Sequence, residues 1–575
     1  MKQTPMLQQY LELKSHNQDA LLLYRLGDFY ELFFEDAERA APVLGIVLTR
    51  RRHNEDVEGP MCGIPHHALS SYTGKLLDAG FKVAIAEQLE AAGGGRGLVR
   101  RGIVRLLTPG TVTEPELLGD GERRWTAAVV RDGKGIAIAY LEAASGELGG
   151  MVCAGAAEAR ELLLALAPRE LLLAESAAEL ADLWPADLAA PVVTLRPASW
   201  FAPRHGDELL RGVLGVGSLR AFELDPGEAL VGAGGALMEY LRSTHGELPR
   251  HLRSFDRRQR CDGVVLDAAT VRNLELLREA NGESRGALAR VLDQTMTAMG
   301  SRLLRDWLLR PLAKATAAAE RHEAVAELVE ESGKLALLRE RLHRLGDLER
   351  VAARLGLRQG RPGELAALRA ALGEIPALRE ELQAGRSELL ASLGRAMDLL
   401  EDLRADLEQV LAETPPALAG PGMVRLGFDA ELDEARQLAH GAKEVLGELE
   451  ARARSQTGIA TMKIRYNRVF GYAFEVSNSQ LERVPPEFIR RQTLAGGERF
   501  ITDELVDLER RITTAEGRAE KRERGLFEEL VARCAERAAR LAATARALAS
   551  VDVLCAFATR ARMARYVRPR LVAGP

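Results

Sequence analysis

The sequence predicts an α+β multidomain protein: a mixed α/β amino-terminal part, a second α/β segment, then a long helical region with a β-rich insertion. Three observations predict it. A chain of 575 residues is too long for one core and implies roughly three to five domains. Its first 240 or so residues alternate short extended runs with helical ones. Beyond them, leucines recur at helical spacing almost to the end, interrupted once by a stretch of period two.

Composition agrees. Apolar residues make up 47% and charged residues 28%, with few aromatics, which favours a mainly helical globular chain. The formal net charge of -5 excludes a surface that is basic throughout and leaves any nucleic-acid contact to local positive patches. Five scattered cysteines, Cys62, Cys153, Cys261, Cys534 and Cys555, include no Cys-x-x-Cys pair, so reduced buried thiols are expected and no metal site. Residues Met1 to Pro5 lead into no apolar signal core, and no run of about eighteen uncharged apolar residues occurs. A cytoplasmic, nucleoid-associated bacterial protein is expected.

In order, Leu7 to Leu13 reads as helix, Ala20 to Arg25 and the region of Glu31 as strand, Asp36 to Val43 as helix and Ile46 to Arg51 as strand. Ala68 to Ala79 reads as helix and Lys82 to Glu87 as strand. His66 and His67 lack carboxylate or thiol neighbours in sequence and read as structural. Arg50, Arg51, Arg52 and His53 form one basic cluster, and Arg96, Arg100, Arg101 and Arg105 another. Either suits phosphates, where each neutralised charge adds sequence-independent affinity, and either suits plain solvation. Gly93 to Gly95 lacks the following Lys-Ser or Lys-Thr of a phosphate loop.

From about 115 to 240, strands are expected at Trp125 to Val130, Gly135 to Leu141, Glu147 to Cys153 and Glu170 to Ala174, with a helix from Ala156 to Leu166. Glu142 and Asp182 are acids that a metal-dependent nuclease could use. Leu303, Leu304, Trp307 and Leu308 share one helical face before Pro311. Residues 316 to 413 read as almost uninterrupted amphipathic helix, broken near Gly360 to Gly363 and at Ile375-Pro376. A helix through Leu432 to Leu449 follows. Then Lys463, Arg465 and Asn467 alternate with Met462, Ile464 and Tyr466 ahead of a Gly471 turn, one strand face carrying donors suited to phosphate oxygens. Arg490 and Arg491 are expected just before a return helix, beside its free amide groups. That helix runs from about Asp503 to Arg565.

The most informative stretch is Leu22 to Phe34. Gly27-Asp28 breaks an apolar run, and in a strand beyond it Phe29 and Glu31 project together, roughly 7 Å apart, while Tyr30 and Leu32 point the other way. A ring and a carboxylate on one edge suit a narrow purpose, in which the ring wedges between base pairs and the acid hydrogen-bonds a displaced base. The pattern also fits a core Phe29 and a solvated Glu31.

Gly27-Asp28-Phe29-Tyr30-Glu31-Leu32-Phe33, with Met61-Cys62-Gly63-Ile64-Pro65-His66-His67 and Ala86-Glu87-Gln88, resembles the mismatch-binding domain of the MutS family of DNA mismatch repair proteins. Leu266 to Leu276 and Met299 to Leu308 resemble the start of that family's core, or lever, domain, and Tyr466 to Tyr472 with Arg490 to Leu494 resembles its clamp. The resemblance implies a mismatch-binding domain over about 1–108, an RNase H-like connector over 115–240, a core/lever domain in two parts over 250–425 and 501–575, and a clamp over 426–500. It implies that Phe29 stacks on a mispaired base and Glu31 hydrogen-bonds it. Backbone contacts are expected from Arg50, Arg51, Arg52, Arg100, Arg101, Lys463, Arg465, Asn467, Arg490 and Arg491. The implied partners are double-stranded DNA with mismatches or small loops, a second copy of the chain, and a MutL-type repair protein.

Family members continue into an ATPase domain with a Walker A loop. No Gly-x-x-x-x-Gly-Lys-[Ser/Thr] occurs here; Gly74-Lys75 and Gly333-Lys334 are each followed by Leu, which lacks the hydroxyl that holds magnesium. The expectation is a fragment without cofactor or enzymatic activity, ATP and Mg2+ being implied only for the full-length family. Two other readings stay open: a MutS-like scaffold for branched DNA or recombination, or a helical scaffold without mismatch specificity.

Overall fold

The computed structural model describes residues 4–52, 58–89, 100–119, 121–133, 135–186, 188–258, 264, 266–279, 285–467, 471–494 and 496–570. They divide into two compact units. The first comprises Met1–Gly360, Ala370–Glu401 and Arg533–Pro575; the second comprises Arg361–Arg369 and Asp402–Ala532. His53, Arg96, Gly93 to Gly95 and Cys261 lie outside the described residues.

The first unit opens with α1 (Pro5–Ser15), β1 (Ala20–Leu26), β2 (Phe29–Phe33), α2 (Glu35–Leu44), β3 (Thr49–Arg52), β4 (Glu58–Pro65), α3 (Leu69–Asp78), β5 (Lys82–Gln88) and β6 (Arg101–Leu107). The strands form one sheet in the order β3-β4-β2-β1-β5-β6. Alternation decides its two faces. Leu22, Tyr24 and Phe33 pack with Tyr10 of α1 on one side. Leu21, Leu23, Tyr30 and Leu32 pack with Ala37 and Ala40 of α2 and Leu76 and Leu77 of α3 on the other.

A second sheet follows, built from β7 (Trp125–Asp132), β8 (Gly135–Glu142), β9 (Glu147–Cys153), α4 (Ala156–Leu166), β10 (Glu170–Ala174), β11 (Val192–Arg196), α5 (Pro203–Leu214), α6 (Ala229–His245) and β12 (Asp256–Arg257). Its order is β11-β10-β7-β8-β9-β12. Strands β7, β8 and β9 are antiparallel neighbours, and β10 joins β7 in parallel. α6 is buried along most of its length because Gly206 of α5 and Gly232 and Gly235 of α6 let the two helix backbones meet; a Cβ at any of them would strike backbone. Glu142 is buried and accepts from the Ser145 amide at 2.7 Å, whereas Asp182 is exposed. Among the described residues no three His, Cys, Asp or Glu side chains gather as metal ligands.

The helical part differs from its sequence pattern. The chain forms α7 (Ala268–Asn273), α8 (Leu288–Leu292) and α9 (Ala298–Leu309); over 316–413 it breaks near Gly360 to Gly363 and at Ile375-Pro376 as expected, and at further points besides, into α10 (Ala315–Glu330), α11 (Ser332–His343), α12 (Leu348–Gly356), α13 (Pro362–Leu372), α14 (Ile375–Gln383), α15 (Glu388–Ala396) and α16 (Glu401–Val410). Left-handed backbone at Gly346, Arg358 and Leu400 turns the chain between them, and Pro362 and Pro376 sit at helix starts where a missing amide costs nothing. Helix caps fix the starts of α9, α12 and α15: Thr297 accepts from the Gly300 amide, Asp347 from that of Arg350 and Ser387 from that of Leu390.

The second unit carries α17 (Ala430–Thr457), β13 (Lys463–Asn467), β14 (Gly471–Ser477), β15 (Ile489–Leu494), β16 (Gly497–Ile501) and the start of α18 (Asp503–Ala564). Gly458, with φ +67, ends α17 in the left-handed conformation that suits glycine. The sheet order is β13-β14-β16-β15. Its core, Met462, Phe474, Val476 and Phe500, packs on Leu446 and Leu449 of α17 and on Leu505 and Leu508 of α18. Cys62, Cys153, Cys534 and Cys555 are buried.

Candidate nucleic-acid interface

The β1-β2 turn is two residues long, with Leu26 facing Phe29 across it, and Gly27 supplies the required positive φ of +59. The Asp28 carbonyl accepts from the His66 amide at 2.9 Å, pinning the turn to the end of β4. Phe29 is therefore the first residue of its strand at the end of the sheet, beyond the cover of the core. It is 49% exposed, against 2% for Tyr30. Tyr30 is held by a hydrogen bond from its hydroxyl to Glu87 and by the Arg25 guanidinium 5.3 Å from its ring; burial pushes its phenol up to about 12.

Glu31 shares the face of Phe29 and is mostly covered, its side chain 16% exposed. It pairs with Arg51 of β3, whose guanidinium also lies 3.9 Å from the Met61 sulfur and 5.8 Å from the Phe33 ring centroid. Burial raises the Glu31 carboxyl above the ordinary value, and Arg51 opposes that shift. Arg51, expected on phosphates, is thus occupied by Glu31. Arg50 and Arg52 are exposed, Arg50 standing 3.9 Å from Glu58.

The second arginine cluster needs a correction. Arg101 is buried: its Nε donates to the Arg25 carbonyl at 2.7 Å and its guanidinium lies 5.1 Å from the Tyr24 ring centroid. A guanidinium spent on a carbonyl and a buried ring supports the β6 edge of the sheet and is not presented to phosphates. Arg100 and Arg105 are exposed.

In the second unit Lys463 and Arg465 are exposed on β13, and Asn467 is half-buried. Gly471 opens β14 at φ +75 with the Glu509 carboxylate against the place a Cβ would occupy. Arg490 and Arg491 lie within β15, an edge strand, and β16 separates them in sequence from α18. The ladder shifts between Arg490 and Gln492, leaving Arg491 at the irregularity with an exposed side chain. Arg490 is 3.0 Å from Glu498 and donates to Thr493 at 2.6 Å. Tyr466 stands 61% exposed with its ring centroid 4.9 Å from that of its cross-strand partner Tyr472. Alternation groups it with buried Met462 and half-buried Ile464; the signal for its exposure is its place near the connecting end of the hairpin, one pair from Asn467 and Gly471.

These features define a modular protein with two α/β sheets, a helical region and a small basic sheet packed on helices. Residues 4–116, 125–254 and 269–558 match the family models described as MutS domain I, MutS domain II and MutS domain III. The chain belongs to the MutS family. It is 41% identical over 573 residues to the DNA mismatch repair protein MutS of Myxococcus xanthus, covering 99% of this chain and 64% of that protein. It is 40% identical over 575 residues to the DNA mismatch repair protein MutS of Symbiobacterium thermophilum, covering 99% of this chain and 66% of that protein. The chain spans just under two thirds of the length of these curated relatives.

Proposed function

We propose that these residues recognise mispaired or looped duplex DNA. Phe29 enters the stack at a weak step, Glu31 hydrogen-bonds the displaced base, and exposed cations, Lys463, Arg465 and Arg491 foremost, hold the backbone of a bent duplex. The observation that carries the reading is the half-exposed Phe29 ring beside a mostly covered carboxylate, on a strand whose intervening residue is locked in the core. Bending a site by 40 to 90 degrees costs roughly 1 to 6 kcal/mol, and a mispaired step lowers that cost, so specificity comes from deformability.

The activity assigned to these residues is binding, without ATP turnover. In a full-length protein of the family, ATP and Mg2+ are proposed to drive signalling, a second copy to complete the grip on DNA, and a MutL-type partner to receive the signal. The place of action is the bacterial cytoplasm, on nucleoid DNA. The division into five parts, with the mismatch-binding domain at about 1–108 and the clamp within 426–500, belongs to the same proposal.

The test is a gel-shift comparison of a G-T heteroduplex with its matched homoduplex at several salt concentrations, for the unaltered chain and Phe29→Ala. The variant is expected to lose the preference and keep salt-sensitive background binding. Discrimination equal to that of the unaltered chain overturns the wedge.

A further inference from the structure

Glu31 lies opposite Tyr24 of β1 and Gly63 of β4, so its neighbours in the sheet are one buried phenol and one residue without a side chain. Among the described residues, the charged groups on this face include Arg51, which crosses it from β3 over Met61 and Phe33, Arg101 from β6, which lies on Tyr24, and the Lys14–Asp36 pair beside Tyr10 of α1. Only the first touches the carboxylate. Arg51 takes Oε2, and no described residue donates to Oε1.

A carboxylate brought against a duplex meets the negative potential of the phosphates and repels it unless a cation neutralises it. It accepts a base N–H only if one oxygen is free and correctly aimed. Arg51 meets both needs with one contact. The Met61 sulfur and the Phe33 ring restrict its own freedom, which favours one orientation of Glu31 before any ligand arrives.

Resting on the reading above, the geometry points to Arg51 as a specificity-determining positioning residue: by holding Oε2 it neutralises Glu31 and aims Oε1 at a base N–H exposed by the Phe29 wedge. A matched pair keeps its N–H donors inside the stack and gains nothing from Oε1. The arginine therefore acts through the acid, and its loss is felt mainly on mispaired DNA.

The experiment measures equilibrium binding of the whole chain to a G-T heteroduplex and its matched homoduplex, from about pH 4.5, the ordinary carboxylate range, up to about 8.5. The forms compared are the unaltered chain, Arg51→Gln, Arg51→Lys, Glu31→Gln, Arg51→Gln with Glu31→Gln, and Phe29→Ala. Arg51→Gln is expected to lower the preference about tenfold, the scale of one charge-assisted contact. It also moves the pH below which preference is lost upward, because the burial that raises Glu31 is then unopposed. In the Glu31→Gln background it adds no further loss of preference. Arg51→Lys, which keeps the charge without the planar guanidinium, restores part of the preference and serves as the decisive variant should Arg51→Gln unfold.

An equal fall in affinity for both duplexes, with preference and pH midpoint unchanged, would make Arg51 a phosphate contact and overturn the inference. Phe29→Ala separates the two levels. If it keeps the preference, the mismatch reading fails; if it loses the preference while the Arg51 variants keep theirs, only the positioning role fails.

Discussion

Tyr240 of α6 donates its hydroxyl to the Glu170 carboxylate at 2.6 Å, at the first residue of β10. Thr108 after β6 donates to the same carboxylate at 2.6 Å and Thr194 of β11 at 2.5 Å, while the Lys82 ammonium lies 3.7 Å away. Glu170 is fully buried, so one acid ties together residues from both sheets of the first unit.

Glu170→Gln tests that tie. An amide keeps one acceptor and turns a donor toward hydroxyls that already donate, and it leaves buried Lys82 with less compensation. The expected loss is about 3 kcal/mol, within the range for breaking a buried ionic contact. Denaturant unfolding measures it, and a change below about 0.5 kcal/mol sinks the account.

Acid sensitivity follows from His251. Its ring is buried, its Nδ1 has no hydrogen-bond partner among the described residues, and burial with nearby Arg546 and Arg253 lowers its pKa to about 3. A folded value below the unfolded one means the unfolded chain binds the proton first, so this contribution is whole above about pH 6.5 and is lost as pH falls toward 3. At pH 5 the loss is about 2 kcal/mol. Asp552, raised to about 6, and Glu349, raised to about 7, act in the opposite sense, gaining stability as pH falls. The measurement is therefore a difference: the stability gap between the unaltered chain and His251→Asn narrows by about 2 kcal/mol from pH 7.5 to pH 5. A constant gap refutes the assignment.

Period two makes Phe29 and Tyr30 legible as residues of opposite faces, because alternation is a local property of the strand. Which face is covered is also partly local, since Leu21 and Leu23 share their phase with Tyr30 and Leu32. The Arg51–Glu31 pair is not legible, because its partners are twenty residues apart in sequence and meet across β4. Arg101 looks like its exposed neighbour Arg100, and only the sheet shows that it lies on Tyr24. The leucines of 316–413 fit long helices and short ones alike; the turns depend on residues such as Arg358 and Leu400, whose left-handed backbone no helical period reveals. The sequence pattern puts Arg490 and Arg491 one element too late because β16, Gly497–Ile501, is too short to show a period.

Backbone contact and mismatch preference are separable in the second unit. Lys463→Ala and Arg465→Ala each remove an exposed cation whose proposed role is charge alone. Each is expected to lower the slope of log affinity against log salt by roughly 0.9 and to leave the preference for a mispaired duplex unchanged. An unchanged slope for both variants removes β13 from the interface. Arg101→Ala provides the contrast: it destabilises the fold and leaves the salt slope as it was.

Arg302 supplies the strongest test of the helical framework. Its guanidinium, 1% exposed, donates to Asp347 at 2.8 and 2.7 Å and to Glu349 at 2.7 Å, closing the start of α12 onto α9. Burial pushes Glu349 up to about 7 even with this cation beside it. Arg302→Met keeps the apolar stem and strands the two acids, at an expected cost of about 3 to 5 kcal/mol at pH 8. Without the guanidinium the Glu349 carboxyl rises further, so the folded variant takes up a proton that the unfolded chain, near its ordinary value, does not. Protonation relieves the stranded charge, and the cost shrinks as pH falls from 8 toward 5.5. Chemical unfolding of both forms across that range reads the effect directly; a penalty that stays level or grows on acidification would show that Glu349 is not the group Arg302 neutralises.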